Sequence, residues 1–263
     1  MLALEPGETG AFASKLGAAI DRVFGRPKAV LAISAHSTAR APVLLAAAQH
    51  HAVHDFGGFP EPLYALRYDA PGAPDLAPAV AALLHTIGEA PQVSGQGGLD
   101  HGIWCMLRFM YPGADVPVLP LAWMPQQNPE RQFAIGGALA ALSAQGVLVM
   151  GSGSITHNLH RAFAGGRATV DAPEITESRQ FRDWFARHGK ARDWPALFDY
   201  RRQAPFAADM HPTDEHLLPW FVAAGAGGRD DAPVRLFEGV TYGCLGMDAY
   251  AFGPSAPRLA AAL

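Results

Sequence analysis

Apolar and polar positions along this chain alternate between a helical and an extended period. Residues 9–24 carry apolar side chains at helical spacing, with Thr9 as N-cap and Gly25 as stop. Residues 28–35 form an almost unbroken apolar run, the pattern of a strand buried on both faces. A shorter strand is expected from Val43 to Ala48. Helices are predicted over 74–88, with Pro74 near the first turn, and over 102–111, stopped by Tyr111-Pro112-Gly113. Val116 to Leu121 reads as a strand, 129–145 as a helix ending at Gly146, and 147–151 as a second buried strand. Residues 174–187 and 193–202 are amphipathic at helical spacing, and Thr213 is expected to cap a helix running to about Ala224. Residues 234–252 suggest two closing strands around Gly243.

This alternation predicts an α/β fold: a single domain over 1–263, with a central mixed β-sheet flanked by helices on both faces. The sheet should be mixed because the stretches 30–48 and 234–252 pair strands without an intervening helix. No internal repeat is visible, and Gly225 to Gly228 is a short loop rather than a linker.

Composition narrows the function classes. With 263 residues and 49% apolar content, the chain can bury a sizeable core. A net charge of −4 gives no electrostatic footprint for nucleic acid or an anionic membrane. The low charged fraction of 17% fits a compact enzyme or a subunit with an apolar interface, so a monomer or homodimer is expected. Cys105 and Cys244 form no CxxC pair and read as reduced structural thiols of a cytoplasmic protein. No apolar run reaches the ~18 residues of a membrane span. Met1-Leu2-Ala3-Leu4-Glu5-Pro6 lacks the basic and apolar regions of a secretion signal.

The candidate chemistry lies in four histidines. His36 ends the buried run Val30-Leu31-Ala32-Ile33-Ser34-Ala35. His157 follows the second buried strand among small residues, in Gly151-Ser152-Gly153-Ser154-Ile155-Thr156-His157-Asn158. His101 lies in Leu99-Asp100-His101-Gly102, and His216 in Thr213-Asp214-Glu215-His216. Ligands of open α/β sheets bind beyond the carboxyl ends of strands, so imidazoles gathered there point to a metal site or to proton transfer. Asp100, beside His101, is a candidate to hold its tautomer, and Asn158 to orient a group or cap a turn. Glu215 and His216 lie about 100° apart on a helix, so only one faces a site squarely, and His216 is the better ligand. His50, His51, His85, His160 and His188 read as ordinary core or surface residues, His188 as solvated. The segment from His54 to Gly72 mixes rings, glycines and prolines without a period. It reads either as a structural loop or as a lid that walls a flat substrate, with His54, Phe59 and Tyr64 as substrate-binding residues. Arg40, Arg67 and Tyr68 are weaker candidates for recognising a carboxylate.

Five segments in order, Ser34-Ala35-His36, His54-Asp55-Phe56-Gly57-Gly58-Phe59-Pro60, Leu99-Asp100-His101-Gly102, Thr156-His157-Asn158-Leu159 and Thr213-Asp214-Glu215-His216-Leu217-Leu218-Pro219, resemble the motifs of the 4,5-DOPA extradiol dioxygenase family. That family is a branch of the class III, LigB-like extradiol ring-cleaving dioxygenases. The resemblance implies oxygen insertion next to the diol of a small catechol, DOPA-like or protocatechuate-like, with O2 as co-substrate. It implies Fe(II) for activity, with Zn(II) as another occupant. It makes His36 and His216 metal ligands, His157 a ligand or acid/base beside the metal, His101 an acid/base, and Glu215 a weaker carboxylate ligand. The family opens with a strand leading to a His-Gly-Ser-Pro motif whose histidine binds metal, and that motif does not occur here. The resemblance therefore implies that a strand and a ligand belong upstream of Met1, and that without them metal is held weakly and an apolar sheet edge is exposed. A non-catalytic Memo-like binding protein on the same scaffold and a zinc-dependent hydrolase are the competing readings. The hydrolase reading has no HExxH and no dense Asp/His cluster behind it.

Overall fold

A computed structural model describes Leu4, residues 6–163 and residues 169–263. Met1 to Ala3 and Glu5, part of the segment read above for a secretion signal, lie outside the described residues. The central sheet has five strands: β1 (Ala29–Ser34), β2 (Val43–Leu45), β3 (Gln92–Ser94), β4 (Val118–Ala122) and β5 (Val147–Ser152). Their order is β3-β2-β4-β1-β5. β1 runs parallel to β4 and β5, whereas β2 runs antiparallel to β4 and parallel to β3. The sheet is mixed, as expected, but through the reversed β2.

The period of two along β1 sorts the core into two layers. Leu31 and Ile33 face one cluster with Leu119 and Leu121, covered by α2 (Ala77–His85), α4 (Pro129–Leu139), α5 (Thr176–Ala191) and α6 (Leu218–Gly227). Val30 and Ala32 face the other with Val118, covered by α1 (Gly7–Phe24) and α3 (His101–Met110). Every residue of β1 is buried, as a strand covered on both faces requires.

Several predicted elements shift. β3 was not predicted: it has three residues, two of them exposed. The helix expected from Thr213 begins at Leu218, with Leu217 as its N-cap, and Thr213 Oγ1 donates to Glu215 Oε1 (2.8 Å). The amides of Leu217 and Leu218 donate to the Asp214 carbonyl. Residues 234–252 do not join the central sheet. Val234–Phe237 pairs antiparallel with Ala249–Ala251 as a separate ribbon, and Val240–Thr241 pairs with Leu245–Gly246 around the turn at Gly243. No helix among the described residues is long and apolar enough to cross a membrane. Cys105 and Cys244 are free thiols, and burial pushes the Cys105 thiol up to about 12.

β5 lies at an edge of the sheet, and among the described residues no strand pairs with its outer side. Ser152 offers its carbonyl to Ala35, just past the end of β1, so by alternation Val147, Val149 and Gly151 turn their backbone groups outward. Only Val147 of this strand is buried, and the rest is half-buried. A groove of about 490 Å³ runs along it, walled by Phe12, Leu16 and Ile20 of α1 and by Trp220 of α6, with His216 at one end.

Candidate metal centre

The carboxyl ends of β1 and β5 lie side by side, since the two strands pair in parallel through Ser34 and Ser152. His36 follows the end of β1, and its amide donates to Ser34 Oγ (3.2 Å). Asp100 is the N-cap of α3: its Oδ1 accepts from the Ile103 amide and from Ser34 Oγ (2.7 Å), and its Oδ2 accepts from Ser37 Oγ. One carboxylate therefore pins the start of α3 to the end of β1, which sets the His36 and His101 rings 3.9 Å apart. Ser152 Oγ adds a second pin by donating to the Gly102 carbonyl (2.6 Å). Gly102 permits this approach, because a Cβ there would lie 2.5 Å from Ser34 Oγ.

β5 brings in the other two histidines. The Ser154 amide donates to the His216 carbonyl (2.8 Å), and a Cβ on Gly153 would lie 2.1 Å from that carbonyl oxygen. The His157 amide donates to the Met210 carbonyl (2.9 Å), in the chain leading to His216. His216 lies 5.0 Å from His36 between ring centroids, and His157 stacks on His216 at 3.4 Å, 8° from parallel. The four histidines read from the sequence thus form one continuous cluster. Stacked rings send their in-plane lone pairs in parallel directions, so an ion midway between His157 and His216 would lie far out of both ring planes.

Asp55 completes the cluster. Its Oδ1 accepts from both the amide and Nδ1 of His101, each at 3.0 Å, and its Oδ2 lies 3.7 Å from His36 Nδ1. Donor atoms of His36, Asp55 and His101 all fall within 4.8 Å of one another. Sequence reading offered Asp100 as the carboxylate that meets the His101 ring, but Asp100 caps the helix and Asp55 makes that contact. The available signal was its place beside His54 in a segment already singled out.

Electrostatics keep His36 and His157 neutral. Burial, then the neighbouring His101 and His216, push His36 down to about 4. Burial, then His216, His211 and His36, push His157 down to about 3. Burial alone would raise Asp55, but the hydrogen bonds from His101 outweigh it and hold the carboxyl at about 2. Glu215 is held at about 2, first by its hydrogen bond with His216 Nδ1 (3.2 Å). Neutral imidazoles beside ionised carboxylates are what a divalent cation requires.

The predicted substrate residues divide. Phe59 lines a small pocket of about 70 Å³ with Phe56, Leu63, His101 and Cys105. Phe56 was not singled out, yet its ring sits edge-on to His101 with centroids 5.4 Å apart. His54 packs against Phe56, Tyr64 and Trp104, and its Nε2 donates to the Leu66 carbonyl (3.1 Å), which ties the loop together. Tyr64 is 39% exposed and its hydroxyl accepts from the Phe59 amide (3.4 Å). Tyr68 is buried, with its hydroxyl donating to the Tyr111 carbonyl (3.1 Å), and is not presented to the site. Asn158 caps the short helix Leu159–Phe163 by accepting from the Arg161 amide (2.9 Å). His188, expected to be solvated, instead meets Asp193 Oδ2 (2.8 Å) and packs on Trp184.

Residues 10–253 match the family described as the catalytic LigB subunit of aromatic ring-opening dioxygenase. The chain belongs to the LigB family. It is 31% identical over 242 residues to a 4,5-DOPA dioxygenase extradiol of Mirabilis jalapa, covering 90% of this chain and 87% of that protein. A protein of the same description from Escherichia coli K12 is 31% identical over 222 residues, covering 84% of this chain and 81% of the relative. A solved structure of an uncharacterized Escherichia coli K12 protein superposes with a TM-score of 0.74 at 26% identity, covering 91% of this chain and 92% of the other. As a LigB-type protein, the chain is a ring-cleaving dioxygenase, an oxidoreductase whose reaction joins an aromatic substrate and O2.

Proposed function

We propose that this LigB-type enzyme is a metal-dependent extradiol dioxygenase that cleaves a small catechol next to its diol, breaking one ring C–C bond and placing both atoms of O2 in the product. The reading is carried by the convergence of His36, His101, His157 and His216, from four separate segments, at the carboxyl edge of β1 and β5. The donor set fits a first-row divalent ion, since imidazole suits iron and zinc alike. His36 and His216 would hold it. Fe(II) would support turnover, and Zn(II) would fill the same site without redox chemistry.

When bound, the ion would supply Lewis-acid activation of the diol and the redox chemistry that O2 requires. The chain's own residues supply the rest. His101 Nε2, opposite the Asp55 contact, would take a catechol proton, and neutral His157 would hold or return one. Phe56 and Phe59 form an apolar wall beside His101 for a flat ring. The test is anaerobic loading of the protein with Fe(II), addition of DOPA or protocatechuate, then admission of air. An absorbance rise from the near-UV into the yellow, absent with Zn(II), is expected. No product from Fe(II)-replete protein across a panel of catechols would overturn the reading and favour a binding role.

A further inference from the structure

A carboxylate that touches two histidines either binds the ion with them or orients them. At Asp55 the hydrogen-bond geometry chooses between these. Its Oδ1 already accepts two hydrogen bonds from one residue, from the His101 amide and from His101 Nδ1, both at 3.0 Å. Its Oδ2 faces His36 Nδ1 at 3.7 Å. Oδ1, engaged by two N–H donors, is committed to His101, and an anion beside a neutral imidazole places the ring proton on the nearer nitrogen. Both rings turn the same nitrogen towards it.

We propose that Asp55 is the positioning residue of this site: it fixes His101, and biases His36, in the Nδ1–H tautomer, so that both rings present a bare Nε2 lone pair away from the loop. The proposal rests on the dioxygenase reading for its consequence and on geometry alone for its existence. Asp55 sits on the loop after His54, 46 residues from His101. The loop carrying Phe56 and Phe59 therefore also carries the group that sets the acid/base residue, and substrate wall and proton acceptor are ordered together. Carboxylates that hold histidines in this way typically change metal affinity or activity 10–100-fold when removed.

The direct readout is the histidine tautomer, from long-range 15N–1H NMR of the full chain as isolated and after adding Zn(II), with the His101 pattern assigned by its loss in His101→Gln. Wild type is expected to show Nδ1–H at His101. Asp55→Asn, which keeps an acceptor oxygen, should preserve that pattern. Asp55→Ala should move the proton to Nε2, lower kcat for catechol cleavage about 10–100-fold and leave KM largely unchanged. Nε2–H at His101 in wild type overturns the proposal even if the alanine variant does not fold, and so does an unchanged pattern in Asp55→Ala. Wild-type protein that holds the Nδ1–H tautomer but cleaves no catechol would remove the proposed reaction and leave the positioning role intact. Cleavage with the opposite tautomer would do the reverse.

Discussion

His36 and His216 are the two residues on which metal retention should depend most. His36→Ala or His216→Ala is expected to abolish stoichiometric Fe(II) or Zn(II) in metal analysis while secondary structure by circular dichroism persists. His101→Gln should retain metal and lose about 10²–10⁴-fold in kcat, the usual worth of a positioned proton-transfer group. Histidine pKa values give a sign for acid stability. Folded His36 sits at about 4 and His157 at about 3, both below their ordinary value of 6.5. As pH falls through 6.5, the unfolded chain binds protons that the folded chain refuses, so stability drops from there down to the folded values. The Tm of metal-free protein should fall between pH 7 and 5, and His157→Asn should flatten that slope; a Tm constant over this window would contradict the assignment. The histidines were legible because each lies in a short local motif next to a strand end or a small-residue turn. Asp55 was not, because its partner is 46 residues away and no local spacing links them.

Strands and helices buried on apolar faces were legible at the scale of elements: β1, β4, β5, α1 and α3 follow their predicted runs closely. Elements set by polar contacts were not. β3 is short, with two of its three residues exposed, so it carries no alternating pattern. The start of α6 is fixed by Asp214 carbonyl contacts that sequence cannot place. Thr213 looked like a cap because its hydroxyl has the right chemistry, but the helix starts further on, at Leu218, and the hydroxyl donates to Glu215. The close approach of β5 to the His216 turn gives a sharp test. Gly153→Ala would set a methyl 2.1 Å from the His216 carbonyl oxygen, so the turn must move. A loss of about 1–3 kcal/mol is expected, with weaker metal binding by calorimetry; unchanged affinity would show that the turn is not what places His216.

Across the whole molecule, the C-terminal ribbon is tied to α5 by a buried ion cluster. Arg182, with its side chain 3% exposed, donates to both oxygens of Asp248 (2.7 and 2.9 Å) and to Glu174 Oε1 (2.7 Å), and the Asp248 side chain is fully buried. Asp248→Ala leaves a buried guanidinium short of a partner, which should cost about 3–5 kcal/mol and be read as a clear drop in denaturant midpoint at constant slope. The mixed α/β architecture was legible in the order of elements, whereas the placement of 234–252 outside the central sheet was not, because a hairpin pattern does not say which sheet it joins. The flank of β5 that no described strand covers has a different consequence. Outward-facing amides and carbonyls between greasy walls make a template on which another polypeptide can crystallise its own backbone. Light scattering should therefore show self-association that grows with protein concentration; a monomer at every concentration would contradict it.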